Sequence, residues 1–201
     1  MTSDSWLAAP PIEGHHVRLE PLTADHAAPL ARHYDPDIFK YLSRGAPQDA
    51  SESAMRAYIH LLNAEANRVN WAVLIRRTGD VAGRISYTEI RPAHRALEIG
   101  TMLMGPFHGS FVNPEAKLLL LRRAFETLGA VRVQFKTDAR NERSQRALAK
   151  LGATREGVLR KYQTRPDGYV RDSVVYSILD DEWPQVRSKL EARLAAFETH
   201  P

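Results

Sequence analysis

Among residues able to hold a charged ligand, the run Gly105-Pro106-Phe107-His108-Gly109-Ser110-Phe111-Val112-Asn113 stands out, because it joins an apolar stretch, Leu97 to Met104, to Pro114. Pro114 suits the first position of a helix, where an N–H would have no partner anyway. Asn113 reads as the N-cap and Glu115 lies where the helix dipole favours an acid. The first amides of such a helix lack intrahelical partners, and with the positive dipole end they form a cradle for phosphate oxygens. A plain connecting loop fits these residues equally well.

Other chemistries drop out by residue type. The chain has no cysteine, so disulfides, thiolate nucleophiles and thiolate zinc sites are excluded. Its eight histidines show no H-x-x-H or H-E-x-x-H spacing, which argues against a metal site. No G-x-S-x-G marks a hydrolase serine. Asp35, Asp37 and the loop near Arg44 can face a substrate or simply be solvated, and the second reading is favoured.

The elements that must position these groups follow from periodicity. Residues 1–14, with Pro10, Pro11 and Gly14, read as an irregular lead-in, and 15–201 as a single domain. His16 to Pro21 alternates as a strand. Thr23 can cap a helix from Ala24, and Ser51 a helix to Asn67 with Tyr58, Leu61, Leu62 and Ala66 as its apolar stripe. Trp71 to Ile75 and Val81 to Ile90 flank Thr78-Gly79-Asp80 as an antiparallel hairpin. The helix from Pro114 runs to Gly129, Val131 to Thr137 alternates as a strand, and a helix from Asn141 stops at Gly152. Strands at Glu156–Arg165 and Tyr169–Leu179 flank Pro166-Asp167-Gly168, and a helix over Asp181–Phe197 closes the chain. This order predicts an α/β (α+β) fold with a mixed, mostly antiparallel sheet flanked by helices.

The stretch LEIGTMLMGPFHGSFVNPEAKLLLLRRAFETLGAVRVQFKTDARNERSQRALAKLGATREGVLRKY resembles the cofactor-binding half of GNAT acetyltransferases, nearest the RimJ/RimL-like branch. Asn141, Ser144 and Gly152 match the family's N-x-x-S spacing and helix end. The similarity covers about His16 to Leu179 and is weakest before residue 70. It implies a sheet splayed between Leu97–Met104 and Val131–Thr137, with the pantetheine arm of acetyl-CoA in the opening and its pyrophosphate on the loop. It implies cofactor contacts at Met102, Leu103 and Met104, at His108, Gly109, Ser110, Phe111, Val112 and Asn113, and at Asn141 and Ser144. The family loop usually reads Q/R-x-x-G-x-G/A, so Phe111 and Asn113 stand where glycines are expected, and phenylalanine adopts positive φ poorly. Glu98 is the implied general base, with a solvated or Arg-paired carboxylate as the plain alternative. The implied oxyanion donor is the N–H of Leu103 or Met104. Ser144 and Tyr162 compete as the acid; Ser144 at that helix position commonly just bonds backbone, and Tyr162 and Tyr176 serve equally well as packing aromatics.

The resemblance thus points to acetyl transfer from acetyl-CoA to a primary amine by direct attack, with no metal. The acceptor is left open between a protein N-terminus and a small amine such as a polyamine, amino acid or aminoglycoside. A CoA-binding sensor without turnover is the rival that Phe111 favours. The composition, 43% hydrophobic and 26% charged with net charge +4, is that of a globular protein whose basic residues form no block, so nucleic acid is not expected. No apolar run reaches the ~18 residues of a membrane span, and no charged leader precedes an apolar stretch, so a cytoplasmic protein is expected. A homodimer is compatible with this reading.

Overall fold

The computed structural model describes residues 3–198. Residues 1, 2 and 199–201, the outer ends of the expected lead-in and domain, lie outside the described residues. The lead-in is less irregular than its prolines suggest. It holds a short helix α1 (Ser3–Trp6) and a two-residue strand β1 (Ile12–Glu13). Trp6 is buried in the core, and the Pro10 carbonyl accepts a hydrogen bond from Trp71 Nε1 at 2.9 Å.

Strand β2 (Val17–Pro21) buries Val17 and Leu19 and exposes Arg18, as alternation requires. Thr23 caps a 3₁₀ turn, Ala24–His26, that leads into α2 (Ala27–Ala31). Helix α3 (Pro36–Phe39) was not foreseen; Asp35 caps it by accepting from the Asp37 N–H at 2.9 Å, and one turn is too short to leave a periodic signal. Helix α4 (Glu52–Asn63) is capped by Ser51 and buries Met55, Tyr58, Ile59 and Leu62, a spacing of three, four and seven. The expected stripe erred at Leu61, which is 67% exposed, and Ala66 lies beyond the helix. The helix ends at Asn63, whose side chain donates to the Leu22 carbonyl and accepts from Asn70 Nδ2.

Strands β3 (Arg68–Ile75) and β4 (Val81–Arg91) form the expected hairpin. Strand β5 (Ala96–Leu103) follows, then α5 (Val112–Arg122), which widens into a π turn over Arg123–Thr127 before Gly129 at φ +66° ends it. Strand β6 (Arg132–Asp138) precedes α6 (Glu142–Leu151), which runs from the Asn141 cap to Gly152. Strands β7 (Thr154–Thr164) and β8 (Val170–Leu179) make the last hairpin, and α7 (Trp183–Glu198) closes the fold.

All eight strands form one sheet in the order β1-β2-β3-β4-β5-β6-β8-β7. Every pairing is antiparallel except β5 with β6. One face carries α5 and α7 over a core that includes Trp71, Tyr87, Leu97, Val133 and Ile178. The other carries α2 and α4 over Ala72, Leu74, Met102 and Met104. Burying each large aliphatic side chain contributes about 1.5–3 kcal/mol, so Leu118 to Leu121, all buried, fix α5 firmly. That helix is therefore a firm support for the loop that precedes it.

Candidate active site

The parallel pairing of β5 with β6 consists of Ala96 with Arg132, Leu97 with Val133 and Glu98 with Gln134, and then stops. Beyond Glu98, β5 stays paired with β4 as far as Leu103, while β6 stays paired with β8 as far as Asp138. The sheet is thus open between two strands that both continue. Along an antiparallel pair, successive N–H groups point to opposite sides. The Met104 N–H donates to Ala82 O at 2.9 Å, on the β4 side. Leu103 and Thr101, in the alternate phase, aim their amides into the gap. Of the two expected oxyanion donors, the Met104 N–H is therefore engaged with β4, and the Leu103 N–H faces the gap.

The loop after β5 keeps several amides free. Gly105–Phe107 is a 3₁₀ turn in which the Phe107 and His108 N–H groups donate to Met104 and Gly105 carbonyls. Gly109 has φ +76°, the one loop position where glycine is needed. Ser110 Oγ donates to Phe107 O at 2.8 Å and accepts from the Val112 N–H at 3.3 Å. The amides of Gly109, Ser110 and Phe111 have no hydrogen-bond partner among the described residues. The cap differs from expectation. Phe111, not Asn113, occupies the N-cap with φ −64°, so no glycine is required there, and its ring packs on His16 at a centroid distance of 4.8 Å. Asn113 lies inside the first turn and accepts from Lys117 Nζ at 3.0 Å. Glu115, in that turn as expected, is buried and accepts the His16 N–H at 2.9 Å.

His108 is a latch. Its Nε2 lies 2.9 Å from Leu103 O, which can only accept, and its Nδ1 lies 3.0 Å from Arg143 NH1, which can only donate. The partners select the neutral tautomer with the proton on Nε2. Burial, with Arg143 adding to it, pushes the imidazole below its usual pKa.

Two cavities open along this gap. One, of about 420 Å³, is lined by Thr101, Met102, Leu103, His108, Gly109, Ser110, Asn113 and Lys117, and on its α6 side by Arg143, Arg146 and Lys150, with Arg193 from α7. Lys117 is 6% exposed, donates to Thr101 Oγ1 at 3.0 Å, and is pushed down to about 8 by burial. The free amides and these cations suit a diphosphate. The other cavity, of about 600 Å³, holds Glu98, Glu89, Lys136 and Tyr162 among its walls. The two meet at Tyr41, Leu42, Thr101, Asn141 and Ser144.

In the second cavity Glu98 accepts from Lys136 Nζ and Gln134 Nε2, each at 3.1 Å. Burial pushes its carboxyl above the usual range, and Lys136 works against that shift. Lys136 also contacts Glu89 and donates to Tyr162 Oη at 2.9 Å. Burial pulls the Lys136 ammonium down, but Glu98 and Glu89 outweigh it and leave it above the usual lysine range. Glu89 sits at φ +45°, where the β4–β5 register shifts between Thr88 and Arg91. A non-glycine residue held there carries backbone strain that is common at functional sites.

This fold and gap have close counterparts. A family model described as an acetyltransferase (GNAT) domain matches residues 16–154. The chain belongs to the GNAT acetyltransferases. It is an acetyltransferase enzyme. A solved chain from T. thermophilus is 57% identical, with TM-score 0.89, covering 93% of this chain and 98% of the other. The FsC-acetyl coenzyme A-N(2)-transacetylase of Aspergillus fumigatus is 28% identical over 94% of this chain and 85% of its own length. Mycobacterium smegmatis RimJ, solved with CoA-disulfide, is 22% identical with TM-score 0.74 over 94% and 96%, a likeness of fold.

The GNAT fold brings most of the expected residues together. Glu98 and Tyr162 share one cavity, and Ser144 and Asn141 border both. Asn141 Oδ1 accepts the Ser144 N–H at 3.0 Å, leaving Nδ2 for a ligand. Three of the expected contact residues line neither cavity: Met104 is wholly buried on the α4 side, Val112 is buried at the start of α5, and the Phe111 ring turns to His16 while its amide remains available. Tyr176 is packed in the core and lines neither cavity. Sequence reasoning missed Glu89, Lys117, Lys136 and the α6 cations. Arg143, Arg146 and Lys150 recur at intervals of three and four, a helical face that spacing alone could have revealed. The described residues contain no group of three His, Asp or Glu able to hold a metal, and no helix among them is long and apolar enough to cross a membrane.

Proposed function

We propose that the enzyme transfers the acetyl group of acetyl-CoA directly to a primary amine, on the pattern of the RimJ/RimL-like branch. The observation that carries this reading is the meeting of the two cavities. One offers free amides and cations to a diphosphate, the other offers carboxylates to an ammonium, and Thr101, Asn141 and Ser144 stand between them. The names of the transacetylase and of CoA-bound RimJ support the choice of donor. Acetyl-CoA supplies an acyl thioester, and the chain's residues supply the rest. Loop amides at Gly109, Ser110 and Phe111, with Arg143 and Arg146, hold phosphate oxygens. Asn141 Nδ2 orients the amide-bearing arm.

An alkyl ammonium must lose a proton before it attacks, and Glu98, with Glu89 beside it, takes that proton. A carboxyl raised by burial is a stronger base than an ordinary one. The Leu103 N–H faces the oxygen on which charge develops. Ser144 Oγ, at the boundary of both cavities and without a protein hydrogen bond among the described residues, gives its proton to the departing thiolate and regains one from the nitrogen that has formed the new C–N bond. Tyr162 is held by Lys136 on the acceptor side and serves the amine instead. The sensor reading loses its support, because Phe111 adopts ordinary helical backbone and its ring packs on His16. The test couples calorimetry of acetyl-CoA binding to thiol release with a panel of primary amines. A chain without cysteine adds no thiol background. Binding without thiol release on any amine would remove the transferase reading for these acceptors.

A further inference from the structure

The acceptor cavity contains more positive charge than its acids can balance. In the β3–β4–β5 sheet, Asn70 pairs with Ser86 and Ser86 with Gly100, so these residues share the face that looks toward α4. Over that row two guanidinium groups converge. Arg68 NH2 and Arg84 NH1 both donate to Ser86 Oγ, at 3.3 and 3.5 Å, and Ser86 Oγ donates onward to Asn70 Oδ1 at 2.7 Å. Arg84 also donates to Tyr58 Oη at 3.0 Å. Arg68 has Glu65 at 3.6 Å, but Arg84 has no carboxylate partner among the described residues. It is 4% exposed and its Nε is unpartnered. From the β8 side Arg171, 5% exposed, also has an unpartnered Nε, and Ser173 Oγ, 1% exposed, has no partner either. Arg68, Arg84, Arg171 and Ser173 all line the one cavity.

Burying a guanidinium without a counter-ion is costly, and that is the state of Arg84; Arg171 feels the charges of Asp138 and Glu98, but Asp138 is already bound by Arg140 and Glu98 by Lys136, so an anion arriving at the cavity wall favours both guanidinium groups. The cavity is open where that anion would sit, because a Cβ placed on Gly100 would meet nothing within 4 Å. Glu98 is two residues further along β5, about 7 Å away at strand spacing. A single small molecule spans that distance.

Resting on the acetyl-transfer reading above, we propose that the acceptor is a small amine that also carries an anionic oxygen group, a carboxylate or a phosphate. The anion is seated on Arg84 and Arg171, and the amine faces Glu98. A polyamine would set a second cation against the same guanidinium groups, and a blocked peptide end would leave them unpaired.

The experiment measures thiol release with four acceptor classes: α-amino carboxylates, their matched carboxamides, aminoalkyl phosphates, and diamines. The expected result is at least roughly tenfold higher kcat/KM for one anionic class than for the carboxamides and diamines. Arg84→Gln should then lower kcat/KM for that class by about 10- to 100-fold while altering the carboxamide rate and the acetyl-CoA dissociation constant less than about threefold. Arg171→Gln provides a second reading should Arg84→Gln fail to fold. Equal rates on acids and amides, or a preference for diamines or carboxamides, overturns the proposal and leaves acetyl transfer standing. Thiol release from none of the four classes, with acetyl-CoA still bound, overturns the proposal and, for small amines, the acetyl-transfer reading with it.

Discussion

Glu98 is held by opposing influences. Burial raises its carboxyl pKa, Lys136 opposes the rise, and Gln134 fixes its orientation. The raised value means the folded chain holds the proton to a higher pH than the unfolded chain does. Above the unfolded value near 4.5 the charged carboxylate therefore costs stability, a cost fully expressed once pH exceeds the folded value. Glu98→Gln should lower kcat by about 100-fold, leave the acetyl-CoA dissociation constant within about twofold, and leave Tm unchanged or higher. Rate, calorimetry and thermal melts on one preparation check all three. In the unmodified enzyme kcat should fall with acidification at a higher pH than an ordinary glutamate would impose, and a flat profile down to pH 4.5 would remove Glu98 from proton transfer. Lys117 has the opposite linkage. Its folded pKa of about 8 lies below the usual lysine value, and a diphosphate in the same cavity would raise it. Acetyl-CoA binding near pH 8 should take up protons, read as a dependence of binding enthalpy on buffer ionisation enthalpy. No dependence would place the diphosphate away from Lys117.

At the scale of elements, the contact between β4 and β5 at the mouth of the gap depends on one missing side chain. A Cβ on Gly83 would lie 2.2 Å from Met102 O and 2.7 Å from Leu103 Cα, backbone that cannot yield locally, and Gly83 has φ +154°. Gly83→Ala should destabilise the fold by about 2–3 kcal/mol and weaken acetyl-CoA binding by shifting Leu103; denaturant titration beside calorimetry checks both. A melt and affinity like those of the parent would mean that β5 has slack. The sequence shows clearly where elements begin and end when a cap or a glycine marks them. Ser51, Asn141, Gly129 and Gly152 all punctuate helices as their chemistry predicts. It misplaced the start of α5 because Asn113-Pro114 satisfies every local rule for a cap, yet the helix begins two residues earlier, where Phe111 packs on His16. The bulge that turns Glu89 into the site left no trace, since Val81 to Ile90 reads as an unbroken strand. The guanidinium cluster was also invisible, because Arg68, Arg84 and Arg171 come from three strands that only the sheet brings together.

At the scale of the molecule, the layered fold and splayed sheet follow from the order of elements and from family likeness, whereas the chemistry of the acceptor side is a product of long-range register. The short seam between β5 and β6, ending at the Glu98–Gln134 pair, has one further effect. Past that pair the two arms of the sheet share no ladder, much like the arms of tongs beyond their pivot. On the mechanism proposed above, the closed end holds the proton-accepting carboxylate and the amide that orients it, while the donor enters at the open end. If the two ends are coupled through that pair, product-inhibition kinetics should show acetyl-CoA arriving before the amine, and random order would separate them.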